Sequence, residues 1–205
     1  MTLQNGLVHG DSAYLWCDTA YYDSATGELL CFAAKAFQGL WWPYAGVLSS
    51  LGGNQQEIAA DIGHAWPSDV PSLLDATSAA LRRYAAKGHA ARALLATYTD
   101  RPALWLVGTD NCSGEGSFMP CECSHYLNTG NGLPEYQKAA AKGLNPRRMR
   151  RVIDAQLCNR VEAAGELGAA GYRIQYGGNV VEIEVSQRGV DSRVLRTIHE
   201  SAEAA

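Results

Sequence analysis

Twice along this chain of 205 residues a pair of helix-period segments interrupts blocks of alternating, β-compatible sequence, and that order constrains the fold more than any single motif. The first block runs from Leu7 to Phe37 as short extended pieces. SAYLWCDTAYY, the turn signal DSATGE and LLCFAAKAF read as a hairpin, and WWPYAGVLSSLGG extends the block to Gly52-Gly53-Asn54, two breakers and a helix-capping residue. Two helical segments follow, NQQEIAADIGHAW and PSLLDATSAALRRYAAKG. In the second, Pro71 suits a first turn, Leu73, Leu74, Thr77 and Leu81 recur at helical spacing, and Gly88 terminates the run. ARALLATYT, PALWLVG and a third candidate around CECSHYL form the next strand block. NGLPEYQKAAAKGL and RRMRRVIDAQLCNRVEAAGEL, the latter started by Asn145-Pro146, predict two more helices. YRIQYGGNVVEIEVS predicts a hairpin, with Tyr172, Ile174 and Tyr176 facing Val181, Ile183 and Val185 across Gly177-Gly178, and SRVLRTIHESAEA predicts a terminal helix. No repeat or linker divides the pattern, which fits a single layered α+β domain over residues 1–205.

Composition narrows the partners. Seventeen basic against 21 acidic residues give a net charge of −4, which carries no general attraction to nucleic acid or anionic lipid. No run approaches the roughly 20 apolar residues of a membrane-spanning helix, and MTLQNGLVHGDS lacks the basic start and apolar stretch of a secretion signal. A cytoplasmic protein is expected, with its six cysteines reduced and Cys17, Cys31 and Cys158 packed singly as small apolar residues.

The chain carries a Thr beside the initiator Met, a strand with Asp18, KAFQ at 35 to 38 after a Gly-containing turn, LSSLGG before the first helix, and YLNTGNGLPEYQKAAAKG before the third. In this order and spacing they resemble the β-subunit family of the proteasome, within the N-terminal nucleophile (Ntn) hydrolases, and among these the subunit of the bacterial two-component protease. The resemblance spans nearly the whole chain. It implies an α+β fold of the four-layer αββα sandwich type, and a catalytic residue that becomes the first residue of the chain once Met1 is removed.

By this resemblance Thr2 is the nucleophile, and its free α-amine accepts the hydroxyl proton directly or through water. Asp18 lies sixteen positions beyond Thr2, matching the family's acidic residue that orients a catalytic lysine; Lys35 matches that lysine. A buried ammonium beside Thr2 favours the deprotonated nucleophile, and a carboxylate partner keeps the lysine charged in spite of desolvation. Fourteen residues after Lys35, Ser49 falls where a backbone N–H of the family forms the oxyanion hole. Tyr21, Ala33 and Val47 take the positions that line the substrate pocket, so an uncharged substrate side chain is expected. Asn131 stands where the family usually carries a serine, in a supporting place near the nucleophile, and the Asp and Ser pair of archaeal and eukaryotic active subunits is absent between Cys158 and Tyr172.

The leading reading is therefore a threonine-type peptidase or amidohydrolase working through an acyl ester on Thr2. It needs no cofactor, assembles with copies of itself as a ring or spiral, and leaves an ATPase partner unspecified. The competing reading is a catalytically silent structural or assembly subunit on the same fold, and a small-molecule amidase shares the same nucleophile. Three other clusters have plainer explanations. Cys112, Cys121, Cys123 and His125 are compact enough to suggest zinc, but C-x-C is an awkward chelating pair and no metal is expected. Arg147, Arg148, Arg150 and Arg151 read as a solvated or subunit-facing helix surface before a phosphate site. Trp41, Trp42 and Tyr44 read as core or interface aromatics.

Overall fold

The computed structural model describes residues 3–22, 28–111, 114–128, 132–158 and 177–198. Within them the chain forms β1 (Gln4–His9), β2 (Ser12–Cys17), β3 (Ala20–Tyr22), β4 (Leu29–Phe32), β5 (Ala36–Gln38) and β6 (Tyr44–Leu51), then α1 (Gln56–His64) and α2 (Val70–Ala86). β7 (Ala90–Tyr98), β8 (Pro102–Gly108), β9 (Cys121–Cys123) and β10 (His125–Leu127) follow, then α3 (Pro134–Ala141), α4 (Pro146–Cys158), β11 (Gly178–Ser186) and β12 (Gly189–Ile198). Every strand pairing is antiparallel. One sheet has the order β10-β1-β2-β11-β12, a second the order β5-β6-β7-β8-β9, and β3-β4 form a separate ribbon.

Period-two alternation decides what each strand faces. On β2, Ala13, Leu15 and Cys17 meet Ala45 and Val47 of β6 and Leu94 and Ala96 of β7 between the two large sheets. Trp16, one position out of phase, packs instead with Met149, Val152 and Ile153 of α4. On β6, Tyr44 and Leu48 turn the other way, onto Ile58 and Ile62 of α1 and Leu73 and Leu81 of α2. α1 is capped at Gln55, one residue past the Asn54 that the sequence suggests, and α2 at Asp69, which the sequence pattern does not single out. Asp69 Oδ1 accepts the Ser72 backbone N–H at 2.8 Å and Ser72 Oγ accepts that of Asp69 at 3.1 Å, a reciprocal capping box, while Asn54 Oδ1 accepts the Gln56 N–H at 3.0 Å.

Four expectations need correction. The four-layer αββα sandwich does not stand as stated: the described residues hold twelve strands to four helices, in three antiparallel sheets, and the β3-β4 ribbon belongs to neither large sheet. The expected terminal helix is strand over 192–198, because the two-residue turn at Gln187 and Arg188, with Gly189 at φ 118°, folds β12 back along β11 with Ser186 opposite Gly189. β11 accordingly pairs with β12 and β2; the proposed partner segment 172–176 lies outside the described residues. The CECSHYL run is two strands in different sheets, with Ser124 alone between β9 and β10 and its carbonyl accepting the Val8 N–H at 2.8 Å. Finally, Cys31 on β4 is exposed rather than packed, as are its neighbours Leu30 and Phe32 on the same strand. Among the described residues no helix is long and apolar enough to cross a membrane.

Candidate active site

Asp18 directly follows the last residue of β2. Asp18 is fully buried, and its Oδ1 accepts the ammonium of Lys35 at 2.9 Å and the backbone N–H of Leu3 at 2.9 Å. Its Oδ2 accepts the Gly177 N–H at 3.2 Å. Lys35, just before β5, is 4% exposed, so the pair is out of water on both sides. Burial lifts the Asp18 carboxyl above its ordinary range, and the Lys35 ammonium with the Gly177 and Leu3 N–H groups offsets part of that lift. The same burial pushes the neighbouring Cys17 thiol up to about 12, so it stays protonated and is no competing nucleophile.

Thr2 lies outside the described residues, as does Asn131. The residue bonded to Thr2, Leu3, is wholly buried, and its amide is held by the carboxylate that holds Lys35. Ser49 sits on β6, nearly buried, one residue past Leu48, whose N–H donates to the Lys35 carbonyl at 3.0 Å. The N-terminal strand, the Asp18–Lys35 pair and the Val47–Ser49 stretch thus meet in one place.

Of the three expected pocket residues, Tyr21 is close to the pair: the Lys35 ammonium lies 5.1 Å from the centre of its ring. Its hydroxyl donates to the Ala34 carbonyl at 3.3 Å and accepts from the side-chain amides of Gln55 and Gln56 at the start of α1. Ala33 is half-buried beside it, its N–H donating to the Thr19 carbonyl at 2.9 Å. Val47 is wholly buried in the intersheet core. On the α1 side of Lys35, Gln55, Gln56 and Ala59 leave no room for a water molecule, whereas a cavity of about 240 Å³ opens on the other side, walled by Cys17, Thr19, Phe37, Gln38, Ile183 and Ser192.

Sequence reasoning missed Gln55, Gln56 and Gly177. The first two follow Gly52-Gly53-Asn54 and read as ordinary first-turn residues. For Gly177 the turn signal was visible, but its use was not: its N–H donates to Asp18 Oδ2, and a Cβ there would sit 2.9 Å from Ala20 Cβ and displace the Tyr22 side chain.

Among the described residues no group of three or more His, Cys, Asp or Glu could hold a metal, and Cys112 lies outside them. His125 has Nε2 2.9 Å from the Tyr136 hydroxyl and Nδ1 3.1 Å from Ser124 Oγ, and burial pushes the Cys123 thiol up to about 12. Arg150 bonds the buried carboxylate of Glu182, and Arg148 donates to the Lys142 and Gly143 carbonyls at the end of α3. Trp42 packs on Tyr44 with ring centres 4.7 Å apart, but Trp41 is 77% exposed. The Cys158 side chain is outside what is described.

No family model matches the chain, and no curated protein matches it. Among solved structures it is similar to the Anbu (Gly-1) mutant from Hyphomicrobium sp. strain MC1, with a TM-score of 0.68 over 98% of this chain and 90% of that one, at 12% identity. At that identity the likeness is one of fold alone.

Proposed function

We propose that this chain is a threonine-type N-terminal nucleophile amidohydrolase, cleaving a peptide or related amide through an acyl ester on Thr2 once Met1 is removed. The observation that carries the reading is the buried Asp18–Lys35 pair joined through Asp18 Oδ1 to the amide of Leu3, the residue next to Thr2. A charged pair withdrawn from water is costly and rare in a core without a role, and here it is tied to the start of the chain. The Thr2 hydroxyl attacks the carbonyl carbon, and its proton passes to the α-amine. The amine then returns the proton to the leaving nitrogen, and water hydrolyses the ester. The fold shared with the Anbu mutant supports the same reading, together with self-association.

Intact mass of untagged protein tells whether Met1 has gone. With it gone, a β-lactone or epoxyketone directed at N-terminal threonine is expected to add one equivalent, and Thr2→Ala to abolish the addition. Failure of a folded, Met-free sample to react would leave the silent assembly subunit, the reading that Asn131 in place of the family's serine favours.

A further inference from the structure

Gln4 opens β1 with its side chain wholly buried. The amide reaches across the intersheet layer: Nε2 donates to the Val47 carbonyl of β6 at 2.8 Å and to the Arg92 carbonyl of β7 at 3.1 Å. These two carbonyls bracket Ser49. Val47 lies two residues before it on the same strand, and Arg92 is its cross-strand partner in the β6-β7 register. From the other side, the Gln4 carbonyl accepts the Asn128 N–H at 2.9 Å, which fixes the β1 backbone to the end of β10. Among the described residues Gln4 Oε1 is buried without a hydrogen-bond partner.

A buried amide oxygen with no partner is a standing cost, and an apolar side chain of the same length would fill the space without it. What an apolar chain cannot do is hold two carbonyls of the facing sheet. We infer that Gln4 is a positioning residue: its amide fixes the spacing between the start of β1, two residues from Thr2, and the β6 stretch whose Leu48 N–H holds the Lys35 carbonyl. This rests on the Thr2 reading for its catalytic consequence. Acyl transfer is sensitive to displacements of about 1 Å, which cost on the order of 10²-fold in rate, and this bridge spans the two strands whose separation sets that distance.

The test uses Gln4→Met, which keeps length and volume. Melting within a few degrees of the parent, faster amide exchange over residues 47–49, and at least roughly tenfold slower acylation by the β-lactone at unchanged half-saturating concentration are expected. Unchanged exchange over 47–49 in the folded variant overturns the bridge. Faster exchange with unchanged acylation overturns the positioning role. If the parent itself is not acylated, the Thr2 reading fails, and exchange alone decides whether the bridge exists. Should Gln4→Met not fold, the parent suffices: both Gln4 side-chain amide protons must be protected from exchange in the NMR spectrum, and rapid exchange of either overturns the inference.

Discussion

Asp18 Oδ1 accepts two donors at 2.9 Å, the ammonium of Lys35 and the backbone amide of Leu3, so one buried oxygen joins a side chain near the start of β5 to the first described residue of the chain. Removing either charge alone strands the other. Asp18→Asn and Lys35→Met are each expected to lower stability by about 3–5 kcal/mol, as broken buried pairs do. The double variant Asp18→Asn with Lys35→Met should regain most of that loss while remaining inert to threonine-directed inhibitors. Urea titration and inhibitor labelling on the three proteins separate the structural part of the pair from its chemistry.

Glu182 is expected to dominate the acid limb of stability. Burial works to raise its carboxyl, but the guanidinium groups of Arg150 and Arg193 and the indole N–H of Trp16, at 2.8 Å, outweigh it and hold it below the ordinary glutamate range. A carboxyl depressed in the folded state stabilises above its unfolded range, and that contribution is lost as pH falls through the folded value. Thermal melts of the parent should therefore decline steeply below the ordinary glutamate range. Those of Glu182→Gln should start lower at neutral pH and decline less.

Gly46 on β6 faces Phe37 of β5 across the pair. A Cβ at this position would overlap the Phe37 ring and sit 2.8 Å from Leu95 Cδ2. Gly46→Ala is expected to cost about 1–3 kcal/mol through overpacking, and Gly46→Ala with Phe37→Leu to recover part of it, as read by denaturant midpoint at unchanged slope.

Thiol reactivity should sort the cysteines by burial. In the native protein, exposed Cys31 is expected to react with a neutral disulfide reagent in the fast phase, and Cys31→Ser to remove one equivalent from it. Cys17, held protonated in the core, should react only on unfolding. Rapid modification of Cys17 in folded protein would contradict the packing of β2.

Much of this arrangement is legible in the sequence where local chemistry and tertiary use agree. Pro71 announces α2, and Leu73, Thr77 and Leu81 form its buried stripe. Asp18 and Lys35 are singled out only through the family resemblance, and the fold places them 2.9 Å apart. The misreadings fall where long-range pairing overrides a local pattern. In SRVLRTI the charged residues Arg193 and Arg196 recur three apart as on a helix surface, yet Arg193 lies opposite Glu182 in the β11-β12 register and bonds its carboxylate, which favours the strand. The CECSHYL run carries no Gly or Pro to mark where one sheet hands over to the other. Gln4 offers no signal at all, because a glutamine at a strand start is ordinary until the facing carbonyls are known.

The Ser124 crossing gives the molecule a spine. β9 and β10 are the outer strands of their sheets on one side, and a single residue joins them, so along that margin the gap between the sheets is fixed by covalent bonds. On the far margin, β5 and β12 are the outer strands, and Phe37, Gln38 and Ser192 from these two elements wall the cavity beside Lys35. The two sheets are bound like the covers of a book, and the pages part at the edge nearest the buried lysine.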